Sequence, residues 1–299
     1  MSSNLTTHPS HSKGFSDLTE SLFLFLLIYI GIKMTKLSPK TIIFPLICAL
    51  TVFLTNHAAN CQPLSTPFRV GERLEFQIKW GFIPAARASM EIAPVNPDII
   101  GAANHFILKI ATYPLIDLIY KFRERVDSYT NRAITRSILY KKVLKGHTKR
   151  DIKVVFNWDK HQARYTNFAE KPPPITIPDS TLDVLSAFFF IRTQKLVVGQ
   201  TIEQPITDGT KVVVGQLHVL KHEKIKIKGR LIDTFKLEPE LRDVKGVFEK
   251  SKHAKMYIWV TADSRKILVR LKSKVIVGSF VATLINYAQL FPTKISKPL

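Results

Sequence analysis

Residues with reactive side chains are scattered through this 299-residue sequence, and their spacing groups few of them. His147 and His161 are the histidines nearest an acid, with Asp151 and Asp159 a few positions away. A metal site needs ligands that converge on one point, which this spacing does not provide, so both are expected at the surface. Ser186 sits in VLSAF, without the glycines that let a nucleophile elbow turn sharply, and reads as helix packing. Asp127 and Asp183 flank apolar segments, where burial raises a carboxyl pKa and suits proton transfer. Turn formation for Asp127 and helix capping for Asp183 are the simpler readings. No paired carboxylates, phosphate loop or nucleophile with its base is recognisable. The expectation is a protein that is not an enzyme, with no catalytic residue, cofactor or metal; a hydrolase without a recognisable motif is the remote alternative.

Charge is the stronger signal. The chain carries a formal +21 with an isoelectric point near 10.0, which favours anionic partners. Lys224, Lys226 and Lys228 alternate with Ile225 and Ile227, and Lys266, Arg270, Lys272 and Lys274 form a second run. If the two segments are neighbours, their outer faces join into a basic stripe. One reading is solvated faces whose lysines protect strand edges from mispairing. The other is contact with anionic headgroups or acidic glycans of an envelope, at about 1 kcal/mol per lysine near such a membrane. Nucleic acid is not expected, because the chain reads as exported and lacks stacked aromatics of the single-strand-binding kind.

The organising element is Ile177 to Gln194, which reads as one long helix starting near Thr181 behind a capping box of Ser180 and Asp183. Leu182, Val184, Leu185, Phe188, Phe189, Phe190 and Ile191 leave it almost no polar face, so it is expected to be buried. Most of the rest alternates with period two. Leu74, Phe76, Ile78 and Trp80 share one face and a hairpin is expected over 73–93, with further strands at 105–112, 121–130, 134–146, 150–158 and 161–168. After the helix, strands are expected at 211–221, 224–237, 254–261 and 265–277, and Ser279 to Tyr287 pairs back. The fold class is therefore mainly β: a curved antiparallel sheet or partly open barrel with one long buried helix against it. Phe76, Trp80, Leu185, Phe188 and Phe189 are the candidate lining of any cavity between them.

The N-terminal region reads as an address. Residues 1–33 are expected to be disordered and read as a misassigned upstream leader ahead of the true start at Met34, with a genuine longer leader or a membrane hairpin as the alternative. Met34 with Lys36 and Lys40, followed by TIIFPLICALTVFL, has the form of a signal peptide over 34–60, leaving 61–299 as one exported domain. Cys61 is a candidate lipid anchor, although Ala58 and Asn60 fit the lipoprotein pattern poorly, and cleavage after Ala59 stands beside it. With Cys48 in the apolar run, the mature part has no disulfide framework.

Several segments occur in the order seen in the bacterial domain of unknown function 3108 family: GERLEFQIKWGFIPAARASMEI, RERVDSYTN, DVLSAFFFIR, DGTKVVV and WVTADSRKILVRLKSKVIVGSFVATL. The chain resembles that family over about 68–287. Ala86 stands where relatives often have glycine. The resemblance implies an exported envelope protein with an antiparallel, barrel-like fold, periplasmic or anchored facing the periplasm, and supplies no activity. The leading expectation is a non-enzymatic envelope protein that binds a lipid or other amphiphile. The alternative is a structural or assembly factor that holds anionic glycans or proteins on its basic face.

Overall fold

The computed structural model describes residues 67–240, 255–274 and 279–287. The expected leader, the signal peptide, Cys61, Val275, Val277 and Gly278 lie outside the described residues. The N-terminal strands are β1 (Arg73–Trp80), β2 (Ile83–Ala93), β3 (Asn104–Thr112), β4 (Phe122–Thr130), β5 (Ser137–Gly146), β6 (Arg150–Asn157), β7 (Gln162–Asn167) and β8 (Ile175–Thr176). A four-residue helix, α1 (Pro114–Asp117), joins β3 to β4. Then come β9 (Leu182–Asp183), helix α2 (Val184–Thr193), β10 (Thr201–Thr207), β11 (Val212–Ile227), β12 (Arg230–Pro239), β13 (Lys255–Thr261), β14 (Leu268–Lys274) and β15 (Ser279–Asn286).

All fifteen strands of the described residues belong to one sheet, in the order β8-β7-β6-β5-β4-β3-β2-β1-β15-β14-β13-β12-β11-β10-β9. Two meanders of hairpins thus meet where the first strand pairs with the last, Phe76 opposite Leu284 and Ile78 opposite Ala282. Pairing is antiparallel except between β9 and β10. The alternation seen in the sequence does its work here: Leu74, Phe76 and Ile78 are buried with Ala86, Ala88 and Met90 of β2 and Leu271, Ala282 and Leu284 across the seam.

The sheet is open in its hydrogen-bond ladder, yet its two ends approach each other. The Ser137 amide of β5 donates to the Thr181 carbonyl, just before β9, at 3.1 Å. Gly209, in the β10–β11 turn, abuts β6 and β7; a Cβ there would stand 2.6 Å from Val154 Cγ2 and 3.2 Å from Tyr165 Cβ, so this approach requires glycine.

Strands β5 and β14 start three residues later than expected, β10 lies where no strand was expected, and two boundaries differ in ways that matter for the helix and the long hairpin. The helix begins at Val184 and spans ten residues, because Leu182 and Asp183 are spent on pairing with Ile206 and Thr207. The cap is Asp183 itself, while Ser180 is at φ 60°, outside the capping position. Second, β11 runs unbroken through 222–223, where a break between two strands was expected; the chain reverses at Lys228 and Gly229, both at positive φ, as a two-residue hairpin turn demands. No helix among the described residues is long and apolar enough to cross a membrane.

Candidate functional site

Helix α2 is held by polar contacts at both ends and by rings in the middle. At its start, Asp183 Oδ1 accepts from the Leu185 and Ser186 amides at 3.0 Å each, satisfying two donors that a helix N-terminus otherwise leaves orphaned. Its Oδ2 accepts from Ser128 of β4 and Ser137 of β5 at 2.6 Å and from Ser186 at 2.7 Å. The Asp183 amide in turn donates to Ser137 Oγ at 2.8 Å. Ser128 and Ser186 also touch at 2.5 Å, and their two protons cannot serve all three contacts at once. Asp183 and these serines are buried, and the carboxylate is saturated with donors. Its chemistry here is to clamp the helix to the sheet.

In the middle, Phe189 stacks on Phe106 of β3 with centroids 3.8 Å apart, and Phe68 meets both rings edge-on. At its end, Arg192 is buried, and each of its three nitrogens is hydrogen-bonded. It forms a two-point ion pair with Glu72 at 2.5 and 3.1 Å and donates to the carbonyls of Pro67 and Arg265 at 2.8 and 2.9 Å. One guanidinium thus ties the helix, the segment before β1 and the β13–β14 loop together.

Beside this last turn lies a narrow slot of about 20 Å³, lined by Leu74, Met90, Phe188, Phe189, Ile258 and Leu268, with Arg192 and Lys266 also in its wall. One or two waters fit such a volume. Lys266 is half-buried; its ammonium makes a long 3.4 Å contact to the Arg192 carbonyl and has no other hydrogen-bond partner among the described residues. Burial holds this lysine below the usual range, a pull increased by Arg192 and opposed by Asp263.

Of the five residues expected to line a cavity, Phe188 and Phe189 border the slot. Phe76 and Leu185 are packed core. Trp80 corrects the expectation: it sits at the opposite end of β1, 41% exposed and stacked on Phe280, because its strand leaves the core there.

The basic stripe is arranged differently from expectation. Strands β11 and β14 are separated by β12 and β13. They communicate through the overhanging tip of the β11–β12 hairpin, where Arg270 donates to the Lys226 carbonyl at 3.0 Å and Lys228 to the Ile285 carbonyl at 2.8 Å. Lys224, Lys226, Lys228, Lys272 and Lys274 are exposed, while Ile227 on the other hairpin face is buried. Arg270 is half-buried between that carbonyl and the Trp259 ring, and Lys266 belongs to the slot wall, so neither is an outward-facing cation.

Three pairs of ionisable side chains escaped the sequence reading. Glu124 of β4 and Lys142 of β5 are enclosed, with Nζ 2.9 Å from Oε2. The contact is an ion pair, and among the described residues neither Glu124 oxygen has a well-aligned hydrogen-bond donor. Burial pushes the Glu124 carboxyl up and the Lys142 ammonium down, each opposed by the other's charge. The second is Arg192 with Glu72. The third is His105, whose Nε2 lies 2.9 Å from Asp127 Oδ1 and Nδ1 3.1 Å from the Pro94 carbonyl, its ring stacked on Tyr129. Asp127 is in mid-strand rather than a turn. Burial raises its carboxyl pKa, but hydrogen bonds and charge from Arg125 and His105 outweigh this and hold it well below the usual carboxylate range, the reverse of what proton transfer needs. His147 is exposed, and His161 stands half out of the surface 3.7 Å from Asp179.

These features define a class: a mainly β protein in which one curled, open sheet wraps a short, buried, clamped helix. The chain matches the family model described as "Protein of unknown function (DUF3108)" over residues 75–285 and belongs to that family. Among solved structures, it is similar to a crystal structure titled beta-barrel-like protein of domain of unknown function DUF1849 from Brucella abortus. The identity is 8% and the TM-score 0.45, over 73% of this chain and 96% of that one. No curated protein matches.

Proposed function

We propose that this is an exported, non-enzymatic envelope protein that takes the apolar part of an anionic amphiphile into the slot beside α2. The observation that carries the reading is the slot's composition: aliphatic and phenylalanine side chains lead to a rim where Lys266 has donors to spare. Ligand sites are commonly apolar with a few polar groups that fix orientation. At about 20 Å³ the slot takes a chain only if a wall residue yields, and half-buried Phe188 is the side chain best placed to swing. The exposed lysines of β11 and β14 fit an anionic envelope as the working environment, and the export signal read at 34–60 fits a periplasmic location.

Organic extraction and mass spectrometry of the purified protein, followed by titration with laurate, test the reading. A co-purifying anionic amphiphile, or saturable laurate binding that Lys266→Glu weakens and Leu268→Trp blocks, is the expected result. An empty extract together with no saturable binding overturns it.

A further inference from the structure

The end of the sheet farthest from the slot carries a second surface. There the β1–β2 turn and the β3–β4 connection lie side by side, tied by the Tyr113 amide to the Ala85 carbonyl at 3.0 Å. The first turn is also fixed to β15 through the Gly81 amide and the Ser279 carbonyl at 2.9 Å. Large apolar side chains stand at these tips: Phe82 is 88% exposed, Leu118 and Ile119 82%, and Leu115 72%. Single exposed apolar residues are ordinary, but four on two adjoining turns form a cluster. Trp80 stands at its margin.

Cations flank the cluster. Lys79 and Lys274 are exposed beside the β1–β2 turn, and Lys121, Lys145 and Lys149 beside the β3–β4 connection. Of the nearby acids among the described residues, Asp117 is bonded to Arg123 and Thr112, which leaves exposed Asp151 against five lysines.

We infer that this end docks on an anionic lipid bilayer, with Phe82, Leu115, Leu118 and Ile119 entering the interface and the lysines meeting headgroups. The apolar groups crown convex turns, so a folded protein partner would need a matching hollow, whereas a bilayer interface admits protruding side chains directly. Apolar groups that insert, cations that attract acidic lipid and an aromatic at the boundary are what interfacial binding uses. The inference uses neither the slot nor the β11 lysines, and it holds whether or not the slot takes a ligand.

Flotation with vesicles tests it, using protein carrying Cys61→Ser so that no covalent lipid contributes. The protein should float with phosphatidylglycerol–phosphatidylethanolamine vesicles at low salt and stay behind with pure phosphatidylcholine. Combining Phe82→Ser, Leu118→Ser and Ile119→Ser should lower partitioning about tenfold or more, since one side chain of this size gains on the order of tenfold on leaving water. Thermal unfolding of this variant should match the parent. Replacing Lys224, Lys226 and Lys228 by Gln should preserve flotation. The inference is overturned if the parent fails to float or the serine variant floats equally well. It is equally overturned if the parent sediments as a dimer that the serine variant dissolves, which would make a second copy the occupant.

Discussion

Replacing Lys142 by Met asks what the enclosed pair with Glu124 contributes. At 2.9 Å, and with an effective dielectric constant of about 20, the two charges attract by about 6 kcal/mol before desolvation is counted. Lys142→Met removes that attraction and leaves a carboxylate, already pushed up by burial, facing Tyr140, Val126 and Leu144 in the interior. The expected loss at pH 7.5 is about 3–5 kcal/mol, the usual cost of stranding one partner of a buried pair. In the variant Glu124 should bind a proton more tightly folded than unfolded. Stability is then fully present below the unfolded pKa and falls as pH rises through the folded value, so the deficit should shrink on moving from pH 7.5 to 5. Removing both charges, with Glu124→Leu and Lys142→Met, should bring stability to within about 1 kcal/mol of the parent or above it, because the desolvation cost disappears on both sides. Urea unfolding followed by tryptophan fluorescence and circular dichroism at both pH values measures all of this. A Lys142→Met protein within about 1 kcal/mol of the parent at both pH values would refute the reasoning.

Three further outcomes are expected. Asp183→Ala should cost about 3 kcal/mol or more, since it removes the helix cap and strands serine hydroxyls of β4 and β5; urea midpoints check it. Phe189→Ala should cost about 3–5 kcal/mol, because its ring, buried beside the slot, stacks on Phe106; thermal and urea unfolding check it, and an effect confined to amphiphile retention would leave the ring as slot wall with no share in the core. The depressed carboxyl of Asp127 stabilises the fold above its unfolded pKa of about 3.9, and that contribution drains as pH falls through the lower folded value. Melting temperatures between pH 5 and 2 should therefore fall more steeply for the parent than for Asp127→Asn.

The strands were legible because their inner faces are almost purely apolar. Leu74, Phe76 and Ile78, or Ile267, Val269 and Leu271, state a face without ambiguity. The helix was legible as an apolar block, but its first turn was not: LDVL serves equally as strand or helix, and pairing of Leu182 with Ile206 decides for strand. β10 was missed because TIEQPIT holds a proline, which argues against a strand until its position beside the two-residue β9 is known. The break between these strands was placed at 222–223 rather than at Lys228-Gly229 because that dipeptide lies inside a run whose alternation continues on both sides.

Charged interior residues were hidden by habit more than by physics. In FRERVDS, Phe122, Val126 and Ser128 share a face with Glu124, and in YKKVL, Tyr140 and Leu144 share one with Lys142. Period two alone therefore marks both charges as inward. Their pairing depends on strand order, which no local pattern carries. Arg192 was similarly visible as the lone charge on an apolar helix, but its partner lies 120 residues upstream. The slot depends on how α2 settles against two distant meanders, and nothing in the spacing of Phe188 and Phe189 distinguishes a wall from a core.

The seam between β1 and β15 governs when this molecule can finish folding. Nearly every other strand pair closes a short hairpin, so each meander forms from contacts near in sequence, whereas Glu75 must find Asn286, 211 residues away. Closing so long a loop is slow, and it cannot begin until β15 has been made. Until then β1 presents a bare apolar edge, LEFQIKW, the kind of strand that pairs with a neighbouring chain. A chain that ends before Ser279 keeps this edge permanently, and its expected fate is aggregation rather than a smaller version of the fold. Because the first and last described strands lie side by side, a permuted chain that joins them by a linker and opens at an exposed turn should instead convert the slowest contact into a local one.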